Sequence, residues 1–481
     1  MEIKNYKKRI ADNKIEHYLK LFGAISIEGP KYCGKTWAGR YHSNSEVLLQ
    51  KTTGGTSNNV ELAKISPSLI LEGPKPRLID EWQEATNLWD EIRIDVDKTG
   101  LKGQYILTGS STPNRKGIAH SGAGRYGKIH LRTMSLFESG DSTGDISLEQ
   151  LCNNKLQEKL TGEVDLRHLA HLIIRGGWPA NINYSSRDAS EAIEEYINLI
   201  IDDDLNRLDG INRDKHKVSL LLKSLARNES TTVSNMTLKK DINEIDNEDI
   251  DIDTLASYLN ALDRLFLLDN DEPFSTNIRS SIRVKQAEKR HFADPSIACS
   301  LLNIKEESKL INDLETFGFL FEALVERDLK IYADSFNAKC YHYQDYQNRE
   351  IDSIIESENG KWCAFEIKLG ANQIEKAAQN LVSLKNQIES ENRLATAEEQ
   401  QELAKFTGWG GLSKVFSNNK EWEEQQSELK ALLTEEEFED AKGSTLNAFY
   451  TNSMIINNMY LGLLRLGFRG GNILEPSARN R

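Results

Sequence analysis

The chain has 481 residues, a net charge of -14 and a mean hydropathy of -0.54, with 38% hydrophobic residues. A chain of this length predicts about three domains. Because the net charge is negative, the electrostatic field of the whole protein does not attract nucleic acid, so any DNA contact has to be local. No apolar run approaches the roughly 20 residues of a membrane span, and 5 scattered cysteines without a C-x-x-C pair predict neither a disulfide framework nor a zinc site. We therefore expect a multidomain cytoplasmic protein without membrane contact.

A glycine-rich loop lies between a predicted strand and a predicted helix at residues 25–38, which read I-S-I-E-G-P-K-Y-C-G-K-T-W-A. The loop matches the P-loop pattern G-x-x-x-x-G-K-[ST], also called the Walker A motif. Its glycines let successive backbone N–H groups face one anion, Lys35 would reach the β- and γ-phosphates, and Thr36 would ligate Mg²⁺. The pattern predicts ATP and Mg²⁺ as cofactors. The predicted nucleotide-binding residues are Gly29, Pro30, Lys31, Tyr32, Cys33, Gly34, Lys35 and Thr36.

An acidic pair follows a second apolar segment, R-L-I-D-E-W-Q-E-A, at residues 77–85. A buried strand that ends in two carboxylates is what a P-loop ATPase needs beside its phosphate loop. Asp80 would hold Mg²⁺ through water, and Glu81 would polarise the attacking water as the catalytic residue. Alone, two acids after apolar residues are more often a solvated turn, but their distance from the P-loop makes them its expected partners.

Two later segments supply further catalytic candidates. Q-Y-I-L-T-G-S-S at residues 104–111 is an apolar strand that ends in hydroxyl residues, and Thr108 or Ser110 would position the water. The alternative is an ordinary strand-to-turn transition. Arg125 lies in a glycine-rich loop just before a strand, which suits an arginine finger that acts on a neighbouring subunit and therefore predicts a homo-oligomer. Arg132 is the second candidate, and structural pairing with acids is the alternative for both.

Several segments together resemble one family. They read I-E-G-P-K-Y-C-G-K-T, R-L-I-D-E-W-Q-E-A, Y-I-L-T-G-S-S, G-A-G-R-Y-G and M-S-L-F-E-S, with G-G-W-P at 176–179 and H-F-A-D-P-S at 291–296. In this order they resemble the AAA-type ATPases of bacteria and archaea that carry a C-terminal domain of unknown function. The resemblance covers roughly residues 1–390. It implies a P-loop core with an additional strand, a helical middle region and a nuclease-like C-terminal fold.

The middle of the chain predicts helices. The apolar spacing places Leu166, Leu169, Leu172 and Ile173 on one face, and Ile193, Tyr196, Ile197 and Ile200 on another. Three consecutive acids, Asp202 to Asp204, point in different directions on a helix and predict a solvated surface. A helix at 218–226, a second entered at 231–234 and a third capped by Asp253 or Thr254 suggest a winged-helix module. The third carries Leu255, Leu259, Leu262 and Phe266 on one stripe.

Charge argues against DNA reading by this module. The acidic run at 241–253 would repel phosphate, and the third helix offers only Arg264 as a cation. We therefore interpret the module as a structural or protein-contact element. A basic cluster nearby is either a local phosphate contact or a solvated face; it consists of Arg279, Arg283, Lys285, Lys289 and Arg290.

A second candidate site lies between residues 315 and 370. The alternating strand K-W-C-A-F-E-I-K places Glu366 and Lys368 on one face, and Asp352 lies in the preceding strand pattern. This spacing resembles the PD-(D/E)xK nucleases, which implies that Asp352 and Glu366 hold a second Mg²⁺ while Lys368 orients the water. Glu322 would assist from a helix. The alternatives are cleavage of DNA or a nuclease-like fold kept only for binding.

The tail beyond residue 392 changes in composition. F-T-G-W-G-G-L at 406–412, L-N-A-F-Y-T at 446–451 and G-N-I-L-E-P-S at 471–477 resemble the entry of the adenine-specific methyltransferase domain in mobile-element helicase–methylase proteins. The family's N-P-P-Y or D-P-P-Y motif is missing, because the sequence has no Pro-Pro pair. We expect a mostly helical, poorly packed tail without methylation activity, joined by a gene fusion.

These observations predict a multidomain α/β protein with a parallel P-loop AAA-type sheet. The expected parts are an ATPase core at 1–150, a helical region at 151–215, a winged-helix-like module at 216–300, a nuclease-like α/β domain at 301–392 and a truncated methyltransferase-like tail at 393–481. The leading hypothesis is a Mg²⁺-dependent ATPase coupled to a nuclease-like domain, with DNA as a partner of that domain. The alternatives are an ATP-gated protein-interaction module with a relic nuclease fold, and a fused methyltransferase or helicase fragment. The sequence does not identify the protein partner.

Overall fold

The structure is a computed structural model that describes residues 6–50, 52–53, 57–112, 121–153, 155, 164–246, 250–274, 287–344 and 349–391, with isolated positions between 416 and 442. The chain divides into two compact units, Met1–Asn392 and Arg393–Arg481. The methyltransferase-like segments at 406–412, 446–451 and 471–477 fall outside the described residues, as do Arg279, Arg283 and Lys285 of the basic cluster. Among the described helices, none combines the length and apolar character that a membrane crossing requires.

A five-stranded parallel sheet forms the centre of the first third of the chain, with the strand order β2-β5-β6-β1-β7. Its strands are apolar because both faces of a parallel sheet are covered by helices, and every residue of β6 is buried. The five strands are β1 (Ala24–Glu28), β2 (Ser45–Leu48), β5 (Arg77–Asp80), β6 (Tyr105–Gly109) and β7 (Tyr126–His130). Two short strands, β3 (Thr52–Thr53) and β4 (Ser57–Asn58), form a separate antiparallel pair. The helices are α1 (Ala11–Leu21), α2 (Lys35–Tyr41), α3 (Asn59–Ile65), α4 (Pro67–Leu71) and α5 (Leu88–Thr99). This agrees with the predicted parallel-sheet core.

A helical region follows and shares one apolar core. It contains α6 (Leu136–Ser139), α7 (Leu148–Cys152), α8 (Leu166–Arg175), α9 (Ser186–Leu199), a π-helical turn (Ile200–Asp204), α10 (Leu205–Arg207), α11 (Lys215–Arg227), α12 (Asn235–Asp246), α13 (Ile252–Arg264), α14 (Pro295–Leu301) and α15 (Glu307–Asn312). The predicted apolar faces of α8 and α9 are buried, except that Leu166 is exposed at the start of α8. Its position in the first turn leaves it without a covering neighbour on the core side.

The start of α13 differs from the prediction. Asp251 caps this helix, because its carboxylate accepts a hydrogen bond from the Asp253 amide at 3.2 Å. Phe266 lies beyond the helix end in a left-handed conformation, with φ 55°. The apolar stripe of α13 therefore ends at Leu262. Periodicity located the helix, but the cap depends on which of several neighbouring acids turns back onto the backbone.

The next part of the chain combines a long helix with a small antiparallel sheet. These elements are α16 (Leu314–Asp334), β8 (Lys339–Gln344), β9 (Glu350–Glu356), β10 (Trp362–Phe365) and α17 (Ile374–Glu391), and the strand order is β10-β9-β8. Because β10 ends at Phe365, Glu366 and Lys368 follow the strand instead of lying on it. Cys363 on β10 forms a disulfide with Cys152 on α7. The two cysteines are 211 residues apart, so no spacing in the sequence indicated this pairing.

Candidate functional site

The phosphate loop joins β1 to α2 in the conformation that its glycines permit. Gly29 has φ 156° and Gly34 has φ 104°, both in the region that favours glycine. A side chain at Gly29 would run into the Leu131 carbonyl, so this position also needs the missing Cβ. The loop therefore approaches the end of β7 closely while α2 begins directly at Lys35.

Lys35 and Thr36, the last two residues of the predicted loop, both make contacts within the site. The Lys35 side chain folds back over the loop, where its ammonium donates to the Pro30 carbonyl at 2.7 Å, and the residue is only 4% exposed. The Thr36 hydroxyl donates to Asp80 Oδ1 at 2.8 Å. The structure thus brings Thr36 and Asp80, both predicted as ligands of the same Mg²⁺, into direct contact.

The acidic pair is positioned by the neighbouring strand. Asp80 lies opposite Thr108 in the β5–β6 register, and the Thr108 hydroxyl donates to Asp80 Oδ1 at 2.6 Å while it accepts from the Glu81 amide at 3.2 Å. Ser110 donates to Glu81 Oε2 at 2.7 Å. The two hydroxyl residues that the sequence offered as alternatives therefore both lie at the site, Thr108 on the aspartate and Ser110 on the glutamate.

Glu81 is held in an unusual conformation for a residue with a side chain. Its φ of 58° is left-handed, and residues in such conformations concentrate at functional sites. Gln83 also donates to its carboxylate, a contact that no motif in the sequence indicated. Burial raises the pKa of Asp80, although the hydrogen bonds from Thr108 and Thr36 oppose this rise. A cation beside this carboxylate would reverse the effect of burial and favour the ionised form.

A cavity of about 770 Å³ opens in front of the loop. This volume lies within the range of roughly 300–1,000 Å³ that is usual for ligand pockets. Its lining comes from the N-terminal segment, the loop, Glu81 of the acidic pair and the G-G-W-P segment; it includes Tyr6, Arg9, Lys31, Tyr32, Lys35, Thr36, Trp37, Glu81 and Pro179. The phosphate loop is thus the floor of a ligand-sized cavity.

Arg9 is a cavity residue that sequence reasoning missed. Its guanidinium is buried and donates to the Cys33 carbonyl at 2.9 Å, and also to the carbonyls of Arg132 and Thr133 at 2.9 and 3.0 Å. Glu138 forms an ion pair with it at 3.1 Å. Arg9 therefore fixes the phosphate loop to the segment after β7. It lies outside every motif, so no local signal identified it.

The remaining loop residues have separate environments. Lys31 forms an ion pair with Asp204 at 2.6 Å, so the prediction of a merely solvated acid triplet is wrong for Asp204. Tyr32 is 72% exposed and meets Tyr196 edge-on. Cys33 is buried and donates from its thiol to the Leu131 carbonyl. Its side chain fills space between the loop and the end of β7.

The two arginine candidates are both paired. Arg125 is 45% exposed at its side chain and forms an ion pair with Asp97 at 2.9 Å, away from the residues that line the cavity. Arg132 donates to both carboxylate oxygens of Asp269, at 2.6 and 3.2 Å. Because Arg132 is held inside the chain by this bidentate pair, its environment is that of a structural residue. The action of Arg125 on another subunit stays a prediction.

The second predicted centre is assembled after β10. Lys368 Nζ lies 3.0 Å from Asp352 Oδ2 and 2.8 Å from Glu366 Oε2, and the Ile367 amide donates to Asp352 Oδ2 at 2.6 Å. Burial and the neighbouring Asp352 raise the pKa of Glu366, whose Oε1 is buried without a hydrogen-bond partner. A cavity of about 440 Å³ reaches this centre, with Glu322 and Lys368 in its lining.

Two members of the basic cluster do not provide a phosphate contact. Lys289 is buried and forms ion pairs with Glu322 and with Glu326, the latter at 2.7 Å. Arg290 is mostly buried and donates to Asn235 Oδ1 at 2.8 Å. The interpretation of Lys289 and Arg290 as a surface that binds phosphate is therefore wrong, because acids distant in the sequence surround the lysine.

Comparisons with known proteins agree with the position of the sheet. Residues 22–139 match the model of an AAA domain, 166–308 that of a domain of unknown function (DUF8612), and 317–409 that of another (DUF4143). The chain is 24% identical over 366 residues to the uncharacterized proteins Rv2008c of Mycobacterium tuberculosis and Mb2031c of Mycobacterium bovis, covering 75% of this chain and 74% of theirs. The Walker-type ATPase PABY2304 of Pyrococcus abyssi aligns at 13% identity with a TM-score of 0.39, over 63% of this chain and 99% of that chain. The AAA-domain match, which spans the parallel sheet and the phosphate loop, supports an AAA-type, ATP-binding, ATPase-like protein.

Proposed function

We propose that the chain is a Mg²⁺-dependent ATPase whose nucleotide binds over residues 29–36. The observation that carries this proposal is the hydrogen-bonded series from Thr36 through Asp80 to Thr108, beside a buried lysine and a glycine loop. The donor set of a hydroxyl and a carboxylate suits Mg²⁺, which prefers oxygen ligands.

The residues of this chain have distinct tasks in such a reaction. Backbone N–H groups of the loop and the Lys35 ammonium hold the phosphates, and Thr36 with Asp80 holds the metal. The metal, when bound, neutralises charge on the phosphate oxygens. Glu81 lines the cavity and is oriented by Ser110 and Gln83, so it is placed to polarise a water molecule and accept its proton. Arg9 keeps the loop in position.

We further propose that Arg125 acts across a subunit boundary in a homo-oligomer. Its only ion pair within the described residues, with Asp97, is exposed, and exposed ion pairs contribute little to stability because water screens them. The guanidinium is therefore released from its own chain at little cost. The glycine-rich loop that precedes it supports this proposal, because such a loop adapts easily to a neighbouring surface.

Replacing Lys35 with alanine tests nucleotide binding. Removal of the ammonium is expected to weaken ATP binding by on the order of 100-fold, since a charge-assisted hydrogen bond contributes about 1.5–3 kcal/mol. Binding is measured by calorimetry, and turnover across a series of protein concentrations. Lys128→Ala, an exposed lysine paired with Glu28 on the same sheet, is the matched control. Equal ATP affinity in Lys35→Ala and the control would contradict the proposed site, and specific activity that does not rise with concentration would contradict the trans role of Arg125.

A metal-dependent nuclease at the second centre is the other candidate function. The unpartnered Glu366 Oε1 beside Asp352 favours it, because two carboxylates with a free oxygen fit Mg²⁺. Lys368, which contacts both acids, would orient the water. Glu322 is instead paired with the buried Lys289, which leaves it less available for the assisting role that the sequence predicted.

Glu366→Gln distinguishes the nuclease from a nuclease-like fold kept for protein contacts. If Asp352 and Glu366 hold Mg²⁺, this variant is expected to lose Mg²⁺-dependent cleavage of linear DNA by on the order of 100-fold, as removing one catalytic charge does elsewhere. Glu358→Gln, an exposed glutamate in the β9–β10 turn, serves as the control. Absence of cleavage by the wild-type chain would support the alternative, an ATP-gated protein-interaction module.

We infer that the helical module around α13 makes protein contacts and does not read bases. Its helix offers Arg264, but this guanidinium is paired with Asp209 at 3.2 Å and donates to the Thr112 carbonyl at 3.2 Å. The Thr112 amide in turn donates to the Arg264 carbonyl at 2.8 Å. Arg264 therefore ties α13 to the segment after β6 and is not directed to a phosphate.

A further inference from the structure

A buried group of three potential metal ligands lies outside both sites described above. It consists of Asp271, His291 and Glu326, which we refer to as the triad; each is 4% exposed or less at its side chain. Asp271 pairs in an antiparallel bridge with Lys289, His291 follows shortly before α14, and Glu326 lies on α16. We propose that the triad binds a divalent first-row metal ion such as Zn²⁺ or Mn²⁺.

The spacing of the ligand atoms fits such an ion. His291 Nε2 lies 3.0 Å from Glu326 Oε2 and 3.5 Å from Asp271 Oδ2, and all three atoms lie within 4.8 Å of one another. Metal–ligand bonds of about 2.0–2.2 Å place neighbouring ligand atoms roughly 2.9–3.5 Å apart. Three donors from three separate segments thus converge at the distances that one metal ion imposes.

Two of the three facing atoms, His291 Nε2 and Glu326 Oε2, have no partner outside the triad. His291 Nε2 and Glu326 Oε2 are buried and make no hydrogen bond. Two neighbouring lysines contact the other oxygen of each carboxylate, the one that does not face His291. Lys330 Nζ lies 3.0 Å from Asp271 Oδ1, and Lys289 Nζ lies 2.7 Å from Glu326 Oε1. Buried polar atoms are rarely left unsatisfied in folded proteins. This arrangement is therefore an independent indication that the triad holds a ligand.

Glu229 provides the outer contact that a metal-binding histidine usually has. Its carboxylate lies 3.0 Å from His291 Nδ1 and is itself held by the Phe292 amide at 3.2 and 3.3 Å. A carboxylate on one ring nitrogen retains the proton there and turns the lone pair of the other nitrogen toward the metal. The tautomer favoured by Glu229 is thus the one that coordinates through Nε2.

The charges around the triad also favour a cation. Carboxylates outnumber ammonium groups around the triad: Asp271, Glu326 and Glu229 lie with Lys289 and Lys330, and Glu322 and Asp269 each pair with one of these lysines. With a neutral imidazole, excess negative charges remain in a buried environment, which is costly without a partner. A divalent ion neutralises them. The competing arrangement is an imidazolium that needs no metal: burial lowers the pKa of His291, but the carboxylates of Glu326 and Glu229 outweigh this and raise it to about 9 in the absence of an ion.

The donor types identify the class of ion. Imidazole suits Zn²⁺ and carboxylates suit Mn²⁺, so a mixed set of one imidazole and two carboxylates fits these two ions better than Mg²⁺ and Ca²⁺, which prefer oxygen ligands alone. Because the ligands are deeply buried and line neither of the two cavities described above, the ion would be structural and slow to exchange. It would connect the segment before α14 to α16.

Metal content of the full-length chain tests the proposal. The protein is purified from cells grown with added Zn²⁺ or Mn²⁺ and dialysed against EDTA. Its metal content is then measured by elemental mass spectrometry, and about one metal ion per chain is expected. His291→Gln is expected to lose the ion. Glu229→Gln, which leaves all three ligands in place, is expected to weaken retention by about 10–100-fold. His342→Gln, another buried histidine, whose Nε2 meets the Ala287 carbonyl, is the control and keeps the metal.

Two outcomes overturn the proposal. A wild-type chain that retains no Zn²⁺ or Mn²⁺ after growth with these ions would show that the triad does not hold a metal, and this result does not depend on whether a variant folds. Retained metal that disappears in Glu366→Gln but persists in Glu229→Gln would place the ion at the second centre instead. The ATP site is distinguished because its Mg²⁺ is removed by EDTA.

Discussion

Glu81→Gln is expected to reduce ATP turnover by roughly 100- to 10,000-fold, the range that a positioned general base contributes. Glutamine keeps the size of the side chain and an acceptor for the hydrogen bonds from Ser110 and Gln83. It does not accept a proton from the attacking water. ATP binding is expected to change little, because Lys35 and the Thr36–Asp80 pair are untouched.

The measurement compares turnover and ATP affinity in the same preparations. Glu84→Gln is the matched control, since Glu84 lies in the 3₁₀ turn Trp82–Ala85 that follows Glu81 but is exposed, and its side chain accepts a hydrogen bond from Gln50 at 3.4 Å. Its turnover is expected to equal that of the wild type. Full activity in Glu81→Gln would remove Glu81 from the mechanism and leave the left-handed conformation of this residue without a catalytic reason.

Asp294→Asn is expected to lower the free energy of unfolding by about 3–5 kcal/mol, the cost of removing one partner of a buried ion pair. Asp294 Oδ2 accepts from the Thr133 hydroxyl, the Gly177 amide and Arg327 Nη1 at 2.7, 2.9 and 2.9 Å. Oδ1 caps α14 through Ser296 at 3.0 Å. An asparagine amide would place donors against donors and leave the buried Arg327 guanidinium with Asp328 as its remaining carboxylate partner.

This carboxylate joins three parts of the chain: the segment after β7, the G-G-W-P segment and α16. Its substitution is therefore expected to weaken the attachment of the segment after β7 to the G-G-W-P segment and to α16, as well as to destabilise the fold. Urea denaturation measures the loss, with Asp313→Asn as the control. Asp313 is an exposed cap of α16, and because asparagine is also a good N-cap, little change is expected there. Equal stability of the two variants would show that Asp294 is not the connecting residue.

The nucleotide site was predictable because its parts are local. Gly29, Gly34, Lys35 and Thr36 lie within eight residues of one another, and their conformation follows from the turn itself. The C-terminal ends of parallel strands lie at the same edge of a sheet. Once both segments are recognised as parallel strands, Asp80 and Thr108 are therefore expected to lie close together, as they do. The second centre was predicted for a similar reason, since β9 and β10 form a hairpin.

The contacts that connect these sites were decided by the tertiary structure alone. Arg9 meets Glu138, Asp294 meets Arg327, and Cys152 meets Cys363. No periodicity or motif in the sequence predicts these pairs, because their residues belong to elements that are brought together only when apolar faces pack. The triad was also decided by the tertiary structure. His291 begins the segment H-F-A-D-P-S, but no motif in the sequence indicated that Asp271 and Glu326 would lie beside it.

The sequence by itself determined the strands of the parallel sheet that carry the site, the phosphate loop and the residues proposed to hold a nucleotide, because backbone conformation and apolar periodicity depend on neighbouring residues. The tertiary structure decided which charges are buried together. Lys289 and Arg290 illustrate the difference, because a run of cations on a solvated surface and a cation held among buried acids have the same local sequence. Desolvation forces such charges to find partners wherever the fold supplies them.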